Sequence, residues 1–286
     1  MRNLSVQEPR RAFGALDLAT EPLRSQRRLL KSMLAIVLSS FVAHPAQADN
    51  LAVLNSEGIA LSVIADFPSG EGRHPAIVLA PGQGYHMALP AMEATARALT
   101  EQGIAVFRFD WTYFTQQPKG QPSDDLSSEL RDLRAVLAAA RRHPKVLGDR
   151  LFVGGKSLGS AVAWRAFAAD AALLGAVLLT PICSRLPKGE TLPRSVAIEN
   201  YPGLELEQRP TLWISGEKDP LCAPRFLYEF AGKSMGPVRI AIVGGDHSFE
   251  SPALPAAAAT TARQRNIHAA STVSATFVAD VSNATP

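Results

Sequence analysis

Three short stretches of this chain carry residues that could do chemistry together. "GGKSLGS" sets Ser157 between Gly155 and Gly159, two residues away on either side. "GEKDPL" delivers Asp219, and "GGDHSF" delivers His247. A serine hydroxyl is a poor nucleophile near neutral pH. It needs a base to take its proton, and the base needs a carboxylate to orient it. Ser157, His247 and Asp219 could fill these roles in attack on an acyl carbonyl. Glu217, in the same loop as Asp219, is the rival acid.

The neighbouring pattern says what must position them. The apolar run before Ser157 reads as a strand (150–155), and 158–169 reads as a helix. A serine on the sharp turn between them needs small residues on both sides, because a Cβ would crowd the backbone. The turn lifts the hydroxyl above the sheet and sets the amide of Leu158 at a helix N-terminus, where it can face a developing oxyanion. Asp219 and His247 each follow a strand-like run, "PTLWIS" and "VRIAIV". Elsewhere short apolar runs (59–68, 74–82, 104–111, 175–182) alternate with amphipathic stretches (87–103, 123–143, 223–231, 262–281). Ser123 or Asp124 is the expected cap of the second stretch, and its apolar stripe is Leu126, Leu130, Leu133 and Leu137. The Ala/Pro-rich "SPALPAAAATT" reads as a connector. Such alternation predicts one α/β domain over residues 49–286, a mostly parallel sheet with helices on both faces. Functional groups collect at the carboxyl ends of its strands.

Charge is unevenly spread. Residues 1–48 hold seven of the 29 Lys and Arg but only three of the 26 acids, so the rest of the chain carries 22 basic and 23 acidic residues. That balance argues against a nucleic-acid surface. Basic residues from Arg24 to Lys31, the apolar run "MLAIVLSSFVA" and "AQA" before Asp49 read as an export signal within a leader over 1–48. The expected location is therefore periplasmic or secreted, the alternative cytoplasmic. The apolar run of about 11 residues is too short for a membrane span, which needs roughly 20. Cys183 and Cys222 are the two cysteines. No Cys/His cluster accompanies them, so no metal site is expected, and the chemistry calls for no cofactor.

"LAPGQG", "GGKSLGS", "GEKDPL" and "GGDHSF" together resemble the α/β-hydrolase superfamily. The likeness is greatest to its compact, dienelactone-hydrolase-like and esterase-like branch, and it covers about residues 59–281. It implies an α/β-hydrolase fold with a minimal lid or none. It also implies Ser157 as nucleophile, His247 as general base, Asp219 as its orienting acid, and the amide of Leu158 as one oxyanion donor. The second donor would come from "PGQG": the amide of Gln83, with Gly84 as runner-up. Pro81 departs from the many members that carry His before that glycine.

In the family's sheet order the two cysteines follow neighbouring strands, which implies a Cys183–Cys222 bridge. The implied activity is a serine hydrolase acting on a small or extended acyl substrate. The alternative is a non-catalytic binding or scaffolding protein of the same fold. Lys156 is expected to point away from the reacting centre as a solvated or packed neighbour, His86 to line the pocket or serve structure. "RFDWTYF" is expected either to shape an apolar pocket or to pack beneath a loop. The segment from Cys183 to Arg209 is the only stretch that could form a lid, and it is too short for a large one.

Overall fold

Runs such as "AIVLA" and "AVFRF" are apolar on successive residues, so both their faces must be covered. The computed structural model describes residues 47–116 and 119–285; most of the expected leader lies outside them. The elements in chain order are β1 (Gln47–Leu54), β2 (Ala60–Phe67), β3 (His74–Ala80), α1 (Pro90–Glu101), β4 (Ala105–Phe109) and α2 (Thr112–Thr115). Then come α3 (Ser127–Arg142), β5 (Val146–Lys156), α4 (Leu158–Ala169), β6 (Leu173–Leu179), β7 (Ser184–Arg185) and β8 (Arg194–Ser195). The chain ends with α5 (Ala197–Asn200), β9 (Thr211–Gly216), α6 (Pro224–Ala231), β10 (Val238–Val243) and α7 (Ala256–Ala284).

Eight strands form one sheet in the order β1-β2-β4-β3-β5-β6-β9-β10. β2 is antiparallel to both β1 and β4, and β4, β3, β5, β6, β9 and β10 run parallel in that order; β7 and β8 pair antiparallel in a separate two-stranded sheet. One face packs on α3, α4 and α6 through Leu133, Val136, Val162, Phe167 and Leu227. The other packs on α1 and α7 through Met92, Leu99, Ile267 and Phe277. Burying these side chains supplies the main drive to fold, at about 1.5–3 kcal/mol each.

Three expectations on boundaries are corrected. Helix α3 starts at Ser127, four residues after Ser123. Ser123 instead donates its hydroxyl to Glu129 at 2.6 Å and accepts the amide of Ser128. The serine still serves the first turn, from further back along the chain. Strand β6 stops at Leu179, because Thr180 takes a positive φ of 40° and breaks the ladder. The Ala-rich part of the supposed connector is helix from Ala256, since alanine is the strongest helix former and Pro255 sits just ahead of the first turn.

The segment that could have formed a lid is folded onto the body. Its Tyr201 and Leu204 are buried, and Trp164 donates its indole N–H to the carbonyl of Pro202 at 2.9 Å. Among the described residues no helix is long and apolar enough to cross a membrane.

Candidate active site

Strand β5 lies mid-sheet between β3 and β6, and its end is the turn that carries Ser157. Ser157 has φ 53° and ψ −119°, a conformation rarely adopted by a residue with a side chain. Such strain costs on the order of 1–3 kcal/mol and persists only where the surroundings enforce it. The enforcement is visible at both glycines. A Cβ on Gly155 would sit 2.2 Å from the carbonyl oxygen of Gly159. One on Gly159 would sit 2.4 Å from that of Ala80. Behind the turn, Ser160 donates its hydroxyl to the carbonyl of Ser157 at 2.6 Å. The Tyr201 hydroxyl lies 2.9 Å from Ser160 Oγ and accepts the amide of Ile182.

Asp219 follows β9 and His247 follows β10, so parallel pairing of β9 and β10 brings the two loops together. They touch closely: a Cβ on Gly216 would lie 2.4 Å from the carbonyl oxygen of Asp246. Asp219 is fully buried, and its Oδ1 accepts the amides of Leu221 at 2.8 Å and Cys222 at 3.3 Å. His247 Nδ1 lies 2.9 Å from Asp219 Oδ2, and His247 Nε2 lies 2.8 Å from Ser157 Oγ. The three side chains thus form one hydrogen-bonded chain from buried carboxylate to hydroxyl. Glu217, the rival acid, is exposed beside Lys218.

The loop after β3 lies against the serine turn, because β3 and β5 are parallel neighbours. A Cβ on Gly82 would approach both Ser157 Cβ and the Lys156 carbonyl at 3.3 Å. The amide of Tyr85 closes a turn on the carbonyl of Gly82, with Gln83 and Gly84 at its tip. Gly84 takes φ 66°, which glycine adopts without strain. Leu158 is the first residue of α4, and its amide has no carbonyl a turn earlier to bond. The structure therefore brings the serine, the acid, the base and the stretches bearing both expected oxyanion donors to one edge of the sheet.

"RFDWTYF" chiefly braces this loop after β3. Trp111 donates its indole N–H to the carbonyl of Pro81 at 2.9 Å, and Asp110 accepts the amide of Met87 at 2.7 Å. Burial pushes the Asp110 carboxyl up from its ordinary value. Tyr113, Phe114, Lys119 and Gln121 join Gln83 and Gly84 around a cavity of about 220 Å³. Burial pushes the Tyr113 phenol up to about 12, so it stays protonated at neutral pH. His86 stacks near Phe114, with ring centroids 6.2 Å apart, and accepts the amide of Ala88.

Sequence reasoning missed two contributors. Lys156 is packed, the second of its two expected placements, and its contact was not foreseen: it donates to the carbonyl of His247 at 3.0 Å. Tyr201 lies in a loop whose sequence carries no motif. Among the described residues no group of three or more His, Cys, Asp or Glu could hold a metal ion.

Cys183 and Cys222 are bonded, tying the loop after β6 to the loop that carries Asp219. Cys183 also donates its amide to the carbonyl of Leu221 at 2.9 Å. The bridge closes a sequence separation of 39 residues. Chain entropy then predicts that replacing both cysteines by serine costs about 4 kcal/mol of stability. Urea unfolding of the two proteins measures this. Coincident curves, unmoved by reductant, would show that the bridge plays no part in solution.

A family model described as "Alpha/beta hydrolase domain" matches residues 73–279. Among curated proteins the chain is similar to the quorum-quenching protein AidA of Acinetobacter baumannii. The two are 34% identical over 94 residues, 32% of this chain and 30% of that one. The match thus spans less than a third of that relative. Among solved structures the chain is similar to a dienelactone hydrolase from Anabaena variabilis, with TM-score 0.57 and 20% identity over 77% of this chain and 97% of that one. It is also similar to an a/b serine hydrolase without a lid from Xanthomonas campestris. There the TM-score is 0.57, with 21% identity over 85% and 99% of the two chains. At these identities the structural likeness speaks for the fold.

Proposed function

The chain belongs to the α/β-hydrolase family, and on that premise we propose that it is a serine hydrolase that cleaves an ester-like acyl bond. The observation that carries this reading is the unbroken hydrogen-bonded run from Asp219 through His247 to Ser157, at 2.9 and 2.8 Å. Ser157 Oγ attacks the carbonyl carbon as His247 Nε2 takes its proton. The carbonyl oxygen, now negative, is held by the amides of Leu158 and Gln83. His247 returns the proton to the leaving alcohol, and an acyl-serine remains. Water, deprotonated by the same nitrogen, then attacks that ester and releases the acid, and the proton goes back to Ser157. Asp219 holds the imidazole in the tautomer that leaves Nε2 free to accept.

The substrate we propose is a small or extended acyl ester, since the Cys183–Arg209 segment folds down on the body. A fluorophosphonate probe, which reacts with an activated serine, is expected to label the purified protein and to leave Ser157→Ala unlabelled. Esters of graded acyl length, together with diffusible signalling molecules of the kind a quorum-quenching protein acts on, then define the substrate. Intact protein that resists the probe would favour the non-catalytic reading.

We further propose that the protein is exported. The buried Cys183–Cys222 bridge supports this, because such bridges persist in oxidising compartments. Sequencing the mature N-terminus after cell fractionation is expected to begin at Asp49. A cytosolic chain that still begins at Met1 would refute it.

A further inference from the structure

Lysine is among the residues least often fully buried, because its ammonium loses water that few interior groups replace. Lys156 is only 1% exposed, at the last position of β5, directly before Ser157. Its Nζ donates to the backbone carbonyl of His247 at 3.0 Å. The same atom stands 4.6 Å from the ring centroid of Tyr85, the residue that closes the oxyanion-loop turn. Its own carbonyl oxygen forms part of the floor under Gly82. One residue thus touches the base loop through its ammonium, the oxyanion loop through a ring face, and the nucleophile through the peptide bond.

Resting on the hydrolase reading above, we propose that Lys156 is a positioning residue that fixes the His247 loop and the Gly82–Tyr85 turn against the serine turn. The ammonium, not merely the bulk of the side chain, does this. A charged donor holds a carbonyl more tightly than a neutral one, and a cation is drawn to a ring face more strongly than a neutral amine. The groups that face it are Asp219, Asp246 and Glu250, which favour its charge, and Arg263, which opposes it. Burial outweighs them and lowers the ammonium to about 8. Folding therefore disfavours the charge: this group adds stability only as pH rises from about 8 toward the ordinary lysine value of 10.5. A lysine kept there purely for stability would be an odd choice, whereas one that aligns two loops has a reason to be retained.

The test compares wild type with Lys156→Met, Lys156→Arg and Tyr85→Leu, using a chromogenic acetate ester and the fluorophosphonate probe across about pH 6 to 10.5. Lys156→Met is expected to lose about 100-fold in kcat, with KM little changed, because loops misplaced by about an ångström cost that much. Wild-type activity is expected to fall as pH rises through about 8. Lys156→Arg, which keeps its charge, loses that alkaline fall. Tyr85→Leu removes the ring partner of the cation and moves the fall to lower pH. It also provides a reading if Lys156→Met does not fold.

Wild-type kcat and labelling rate in a folded Lys156→Met would overturn the proposal, as would an alkaline fall that neither Lys156→Arg nor Tyr85→Leu shifts. In either case the hydrolase reading would stand. A wild type that the probe never labels takes both down.

Discussion

Replacing Ser157 by alanine is expected to lower kcat toward a chromogenic ester by about six orders of magnitude, with KM changed little. The reasons lie in the geometry. The hydroxyl is the group His247 Nε2 meets, at 2.8 Å. The backbone conformation at Ser157 is enforced by Gly155 and Gly159 and does not depend on the hydroxyl. The variant should therefore fold, bind substrate and retain the amides of Leu158 and Gln83 proposed to hold the oxyanion. Residual catalysis by those amides over water is why the loss stops short of complete. Circular dichroism verifies the fold and stopped assays measure the rate. Activity above about one per cent of wild type in freshly purified variant would mean that another residue carries the acyl group.

Asp219→Asn should cost about four orders of magnitude, through the proton rather than the shape. The amides of Leu221 and Cys222 both point at Oδ1, so an asparagine must turn its carbonyl oxygen toward them. Its NH2 then occupies the place of Oδ2, 2.9 Å from His247 Nδ1. There it donates to Nδ1, which drives the ring proton onto Nε2, the atom that has to accept from Ser157. The side chain keeps its volume and the two backbone amide bonds at the Oδ1 position, so stability should change far less than rate. A melting temperature that collapses along with the activity would show that the carboxylate matters for folding first. An unimpaired rate would leave the imidazole oriented by something other than residue 219.

Much of the site was legible before any coordinates. The glycines flanking Ser157 exist because carbonyl oxygens stand where a Cβ would go, and that demand shows in sequence as fixed spacing. Asp219 and His247 each follow a strand, and in a parallel sheet strand ends meet at one edge. The bridge was implied by the family resemblance, through that family's sheet order. That Lys156 is packed was one of the two readings, but which groups its ammonium meets was not legible, because sequence neighbours cannot reveal where a long side chain ends. Its partners, His247 and Tyr85, are remote in the chain. Tyr201 was invisible for the same reason: its role depends on a loop folding back over α4. The first strand was missed because "QADNLAVL" straddles the expected leader boundary, and its apolar alternation is half spoiled by Asp49 and Asn50.

That first strand carries a consequence for how the protein is made. β1 pairs with β2 from Gln47 opposite Phe67 and Ala48 opposite Asp66, so the bond between Ala48 and Asp49 belongs to a ladder already hydrogen-bonded on one side. A protease that removed the proposed leader there would need that bond as a free, extended peptide. On the export proposal, trimming and folding would compete for the same eight residues, and the cut would have to precede the pairing of β1 with β2.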